Sequence, residues 1–196
     1  GQLAKIRAPL FVFILAEELT RPFLPGYIKS LLVPVPGLPW LAPEVVGGTP
    51  IALFRLIVAL GQPFLGAYAQ RVGNRHAMTV GACIAAFGFI ASAFAGSVLD
   101  LLLWRSLCAL GYGLVFVAAQ GHVLEHTNNS NRAKSFAVFI GAIMVATVCG
   151  PSIGGILADN IGERWTMAVA AMLAIGSMGA IRLLPEQDAE TAAAQS

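Results

Sequence analysis

The stretch GQPFLGAYAQRVGNR, residues 61–75, returns in altered form as GPSIGGILADNIGER, residues 150–164. Both fit G-x4-G-x2-A-[Q/D]-x2-G-x-R, and each ends a long apolar run with a short polar turn. Such a duplication inside an apolar chain points to a membrane protein built from repeats.

The surrounding composition agrees. Of 196 residues, 57% are hydrophobic and 11% charged, against roughly 25% charged in soluble domains. The mean hydropathy is +0.77. Six segments are long and apolar enough to span roughly 30 Å of hydrocarbon: residues 8–32, 48–70, 77–96, 98–124, 134–158 and 165–184. The expected fold is an all-α bundle of six transmembrane helices occupying residues 1–185, followed by a polar, disordered tail at 186–196. With the N-terminus inside, Lys5, Arg7, Arg71, Arg75, Arg132, Lys134 and Arg182 fall on the inner side and only Lys29 and Arg164 outside. That bias sets both termini in the cytoplasm, and a bacterial inner membrane is the expected location.

The first helix is the least regular, because Pro22 cannot donate to the carbonyl of Glu18 and Pro25-Gly26 weakens the next turn. Glu17, Glu18 and Arg21 inside this apolar run, and the lack of a small-residue cleavage site, argue against a cleaved signal. A chain opening on Gly rather than Met is expected to be processed or part of something longer. VPVPGLPWLAPE, residues 33–44, reads as an ordered outer loop with Trp40 at the interface. Ser97-Val98-Leu99-Asp100 has capping-box spacing. Asn128-Asn129-Ser130 matches a glycosylation acceptor, unused on the cytoplasmic side. Cys83, Cys108 and Cys149 sit in helices without CxxC spacing and read as reduced packing residues. The two copies of the duplicated pattern lie three spans apart, hence at opposite membrane faces. The repeat is therefore expected to be inverted, residues 8–96 against 98–184, as in many secondary transporters.

Three motifs carry a family likeness. GAYAQRVGNRHAMTVG, residues 66–81, resembles the loop signature G-x3-D-R-x-G-x-R-R of the major facilitator superfamily of secondary transporters. Gly66, Arg71, Gly73, Arg75 and Gly81 match; Gln70 replaces the acid and His76 the second base. LLLWRSLCALGYG, residues 101–113, resembles the helix 4 signature R-x3-G-x-G, loosened to Arg105-x5-Gly111-x-Gly113. GPSIGG, residues 150–155, resembles the helix 5 signature of antiporters, with Gly150, Gly154 and Gly155 allowing close approach and Pro151 bending the helix. The resemblance covers nearly the whole chain but half the family's usual twelve helices, and suits the N-terminal half. It implies that helices 1 and 4 line a cavity, 2 and 5 meet the other half, and 3 and 6 face lipid. It also implies alternating access coupled to protons, with the acid at position 70 normally helping to latch the inward gate. Gln70 removes that charge, whereas Asp159 keeps it in the outer copy.

The residues expected to bind substrate or couple protons are Glu17, Glu18, Arg21 and Arg105. Glu17 and Arg21 are spaced to pair on one helix face, either to neutralise one another or to act in coupling. Arg105 is read as a cavity group or as a donor to carbonyls at a helix bend. Arg55 is expected to be buried between helices or to snorkel. Gly66, Gln70, Arg71, Gly73, Arg75, Gly150, Pro151, Gly154, Gly155 and Asp159 are gating and packing positions. His122-Val123-Leu124-Glu125-His126 matches H-x-x-E-H but lacks a recognisable further ligand, so it reads as a polar helix end.

No catalytic residue, cofactor, metal site or nucleic-acid partner is expected. The expected partners are the lipid bilayer, a small-molecule substrate and a second six-helix half, which is the rest of a longer chain, a separate subunit or a second copy. The alternative is a membrane-embedded sensory or scaffold module that keeps the fold without transport.

Overall fold

The computed structural model of this chain describes residues 2–31, 43–127 and 131–182. Most of the Pro-rich loop with Trp40, the triplet Asn128-Asn129-Ser130 and the tail at 186–196 lie outside the described residues. Within them the chain forms helices α1 (Gln2–Thr20), α2 (Leu24–Leu31), α3 (Pro43–Val72), α4 (Asn74–Ala93), α5 (Val98–Glu125), α6 (Arg132–Ile161) and α7 (Glu163–Arg182), with no strand among them.

Among the described residues, five helices are long and apolar enough to cross a membrane: Gly47–Val72 of α3, and α4, α5, α6 and α7. The remaining expected span, residues 8–32, is divided. α1 stops at Thr20, residues 21–23 form a turn, and α2 begins at Leu24. The Arg21 amide reaches back only three residues to the Glu18 carbonyl, at 3.3 Å, and Pro22 has no amide to continue the helix. Pro151, by contrast, lies inside an α6 that runs unbroken from Arg132 to Ile161.

Two junctions are a single residue long. Gly73 separates α3 from α4, and Gly162 separates α6 from α7, each with φ +88°. With ψ of 139° and 158°, both occupy a region that side chains avoid. A Cβ at either position would meet nothing within 4 Å, so the requirement is conformational and not steric. Gly73→Ala and Gly162→Ala are each expected to cost about 1–3 kcal/mol. Thermal unfolding of the two variants checks this, and similar losses are expected because the two backbones match. At the start of α5, Ser97 Oγ accepts from the Asp100 amide at 3.1 Å, as its spacing predicts.

α5 packs against α4 and α3, α1 against α6 and α7, and α4 also against α7. Small residues permit the closest crossings. A Cβ on Gly81 would lie 2.8 Å from the Gly111 carbonyl oxygen, and one on Gly111 2.6 Å from that of Gly81. Inside, Phe13, Phe54 and Phe116 each contact the Tyr112 ring at centroid distances of 5.6–6.2 Å, and Phe139 continues the series from Phe116. This aromatic core joins α1, α3, α5 and α6 next to the polar groups described below. α3 and α6 are the least buried of the long helices. They turn outward Leu56, Leu60 and Phe64, and Val148, Ile153 and Ile156, respectively.

Candidate functional site

An acidic pair closes α1. Glu17 and Glu18 are adjacent, so their side chains diverge by about 100° around the helix. Both are 2% exposed. An isolated carboxylate so buried is costly, and each must find a cation.

The partners differ from the sequence expectation. Glu17 does not pair with Arg21. Its Oε1 accepts from Nη2 of Arg105 on α5, 88 residues away in the chain. Arg21 instead pairs with Glu18, Nη1 to Oε1 at 3.0 Å. The break at Pro22 accounts for the exchange. Arg21 lies in the turn beyond Thr20, outside the helix whose i,i+4 geometry would have aimed it at Glu17.

Arg105 is 3% exposed. Its guanidinium carbon lies 5.5 Å from the Phe54 ring centroid and 5.6 Å from that of Phe89, so two aromatic rings attract the charge as well. Its Nε and Nη1 have no hydrogen-bond partner among the described residues, and neither has Nη2 of Arg21. Thus one buried cation holds a carboxylate while two of its donor nitrogens stay unmatched, an arrangement suited to exchanging partners.

The group is closed. Glu17, Arg21, Leu24, Pro50, Phe54, Arg55 and Arg105 surround a void of about 10 Å³, the lower limit for one water. This void has no room for a substrate; the cavity that the resemblance implies is one formed between two halves. Arg55 is exposed on α3 at the edge of this void and is not buried between helices.

The loop-signature residues lie at the far ends of α3 and α4. Gln70, Arg71 and Gly73 are exposed, and Gly66 faces Val117 of α5. Arg75 donates to the Arg182 carbonyl of α7. At the corresponding end of α6, Asp159 is exposed, and a Cβ added to Gly155 would meet nothing within 4 Å. Gly150 and Gly154 behave differently, lying directly against Glu18 and Leu19 of α1.

Sequence reasoning missed Phe54 and Phe89 as partners of Arg105. Nothing distinguishes them from the other phenylalanines of an apolar helix until the helices are packed. It also missed the Asn74–Glu125 hydrogen bond, 2.6 Å between α4 and α5.

Similarities to known proteins run along the whole bundle. A family model described as Major Facilitator Superfamily matches residues 10–195. The Synaptic vesicular amine transporter of Rattus norvegicus is 30% identical over 125 residues, 63% of this chain and 24% of that protein. The Quinolone resistance protein NorA of Staphylococcus aureus is 25% identical over 166 residues, 85% of this chain and 40% of its own. A third relative, the Uncharacterized MFS-type transporter YfiU of Bacillus subtilis, is 25% identical over 130 residues, 66% of this chain and 25% of its own. The chain thus spans between a quarter and two fifths of the length of these relatives.

Proposed function

This chain belongs to the Major Facilitator Superfamily, and from that premise we propose that it is one half of a secondary active transporter working by alternating access. The family consists of membrane transporters and not of enzymes. The proposed half crosses the membrane six times, with α1 and α2 together forming the broken first crossing.

The inverted repeat, residues 8–96 against 98–184, has two supports. Gly73 and Gly162 occupy the same place in the duplicated pattern and share φ +88°. Exchanging the first three crossings with the last three also maps the α1–α6 contact onto α5–α3, and the α1–α7 contact onto α5–α4. The second half docks on the outward apolar faces of α3 and α6. It is the remainder of a longer chain, a separate subunit or a second copy, and both termini face the cytoplasm.

The observation that carries the transport reading is the buried Glu17–Arg105 pair linking α1 to α5. A proton arriving on Glu17 neutralises it and frees Arg105; its departure restores the pair. Gly150 and Gly154 press α6 onto α1 at Glu18 and Leu19, so a change at this pair is transmitted to α6 and the second half. An organic amine is the proposed substrate class, by extension from the name of the vesicular amine transporter. Such a cation competes with Arg105 and Arg21 for the two carboxylates.

Proteoliposomes containing the chain with its second half provide the test, with a radiolabelled aromatic amine as probe. An imposed pH gradient is expected to drive its accumulation, and Glu17→Gln to reduce this to the level of empty liposomes while the protein stays folded. Accumulation that ignores the gradient, or that survives Glu17→Gln, overturns the coupling role. The sensory or scaffold alternative, to which Gln70 lends weight, predicts no flux in any pairing.

A further inference from the structure

The polar end of α5 holds three metal-binding side chains in one turn. His122, Glu125 and His126 are spaced i, i+3 and i+4, which aligns them on one helix face. In the structure they offer one ligand atom each, all within 4.8 Å of one another. The two imidazole rings lie 4.1 Å apart between centroids. On a tetrahedral zinc ion, neighbouring ligand atoms lie about 3.3 Å apart, so small side-chain rotations close the set.

Two of the ligands are oriented by a second contact. Nδ1 of His126 lies 2.9 Å from the His122 carbonyl oxygen. A carbonyl only accepts, so Nδ1 carries the proton and Nε2 keeps its lone pair for a metal. Asn74 of α4, itself buried, donates from Nδ2 to Glu125 Oε1 at 2.6 Å, which orients the carboxylate and leaves the other oxygen available. His122 is only 5% exposed, and its ring is held beside that of His126. A buried histidine, a second histidine and a carboxylate held by a buried asparagine, all within reach of one ion, are more than a polar helix end requires.

Two features of the local field favour a cation. The ligands sit in the last turn of α5, where the helix presents the negative end of its dipole, and Glu125 adds a formal charge. Arg75, at the same end of the bundle, donates to the Arg182 carbonyl of α7, and its charge opposes a cation beside His122.

We propose that His122, Glu125 and His126 form a binding site for a divalent transition-metal ion of the zinc class, with Asn74 orienting Glu125. Two imidazoles and one carboxylate suit zinc, cobalt, nickel or copper and disfavour magnesium and calcium, which prefer all-oxygen shells. A solvent molecule completes four-coordination. Because Asn74 begins α4 and Glu125 ends α5, the bound ion fastens these two helices at the end of the bundle that also holds the Gly73 junction. The site is remote in sequence from Glu17 and does not depend on the transport reading.

Cobalt(II) titration of the full chain in detergent micelles, purified without an oligohistidine tag, tests the site through its visible ligand-field bands. One equivalent is expected to bind, to be displaced by zinc and to be unaffected by excess magnesium. Asn74→Ala is expected to weaken binding about 10- to 100-fold, as for other groups that orient a ligand, and Glu125→Gln and His126→Ala to weaken it further. Glu125 is exposed and His126 half-buried, so both variants are expected to remain folded, which circular dichroism checks. Absence of the bands, or bands unchanged in a Glu125→Gln/His126→Ala double variant, overturns the proposal.

Discussion

Arg105→Met is expected to destabilise the chain by about 3–5 kcal/mol, the usual penalty for removing one partner of a buried ion pair. The loss comes mainly from Glu17, which stays 2% exposed with its cation gone, and not from the attraction that disappears. The two ring contacts, to Phe54 and Phe89, contribute a smaller share, about 0.5–2 kcal/mol each in such settings. The double variant Glu17→Gln/Arg105→Met separates the terms. If the unpaired carboxylate dominates, the double variant regains most of the stability, since a buried pair replaced as a whole is often nearly neutral. Thermal unfolding in nanodiscs of the two single variants and the double gives the coupling energy directly. Additive losses, with no recovery, would mean that the pair is not a unit, and the exchange of partners suggested for Glu17 would lose its basis.

The second large effect is expected at Gly154. A Cβ there would lie 2.6 Å from the Leu19 carbonyl carbon and closer still to its oxygen. These are backbone atoms of α1, with no rotamer to give way, so α6 as a whole must move off α1. Overpacking of a rigid contact costs about 1–3 kcal/mol and occasionally more, and Gly154→Val belongs at the upper end or beyond. Gly150→Ala meets Glu18 in the same way, with the Glu18 carbonyl carbon at 3.2 Å, and also displaces the Glu18–Arg21 pair. Gly155→Ala is the control. Nothing lies within 4 Å of its Cβ, and alanine suits a helix interior better than glycine by about 1 kcal/mol. Thermal unfolding of the chain alone is therefore expected to rank Gly155→Ala at or above the parent and Gly154→Val far below. Should the second half dock at Gly155, the same substitution impairs assembly, read by crosslinking, without lowering the stability of the chain by itself.

These two sites show how legible the candidate residues were. GPSIGG announces close helix approach, but adjacent glycines face different directions on a helix, and a string of letters does not say which face meets a neighbour. Gly154 meets α1 and Gly155 faces outward. The acids present the same problem. Spacing favours Glu17 with Arg21, because i,i+4 neighbours share a face of a single helix. The structure gives Arg21 to Glu18 and Glu17 to Arg105, and the reason is partly local after all: Pro22 ends α1 before Arg21 can take its helical place. The cue was present in Pro22, but its consequence for pairing depends on α5 standing where α1 needs a cation.

What the amino-acid sequence determined by itself is everything that follows from short-range physics. An apolar chain with few charges must satisfy its backbone internally, hence helices. Gly73 and Gly162 set sharp junctions because only glycine enters that backbone region without strain. Ser97 caps α5 through its own neighbour Asp100, and Pro22 breaks the first crossing. Tertiary structure alone decided that Arg105 stands beside Glu17, which rings enclose Arg105 and which glycine of a pair is pressed against α1. It also brought Asn74 of α4 onto Glu125 of α5. Those contacts depend on the rotation of each helix about its axis and on the distance between axes. Both are fixed by the packing of all the helices together, which no spacing within a single helix encodes.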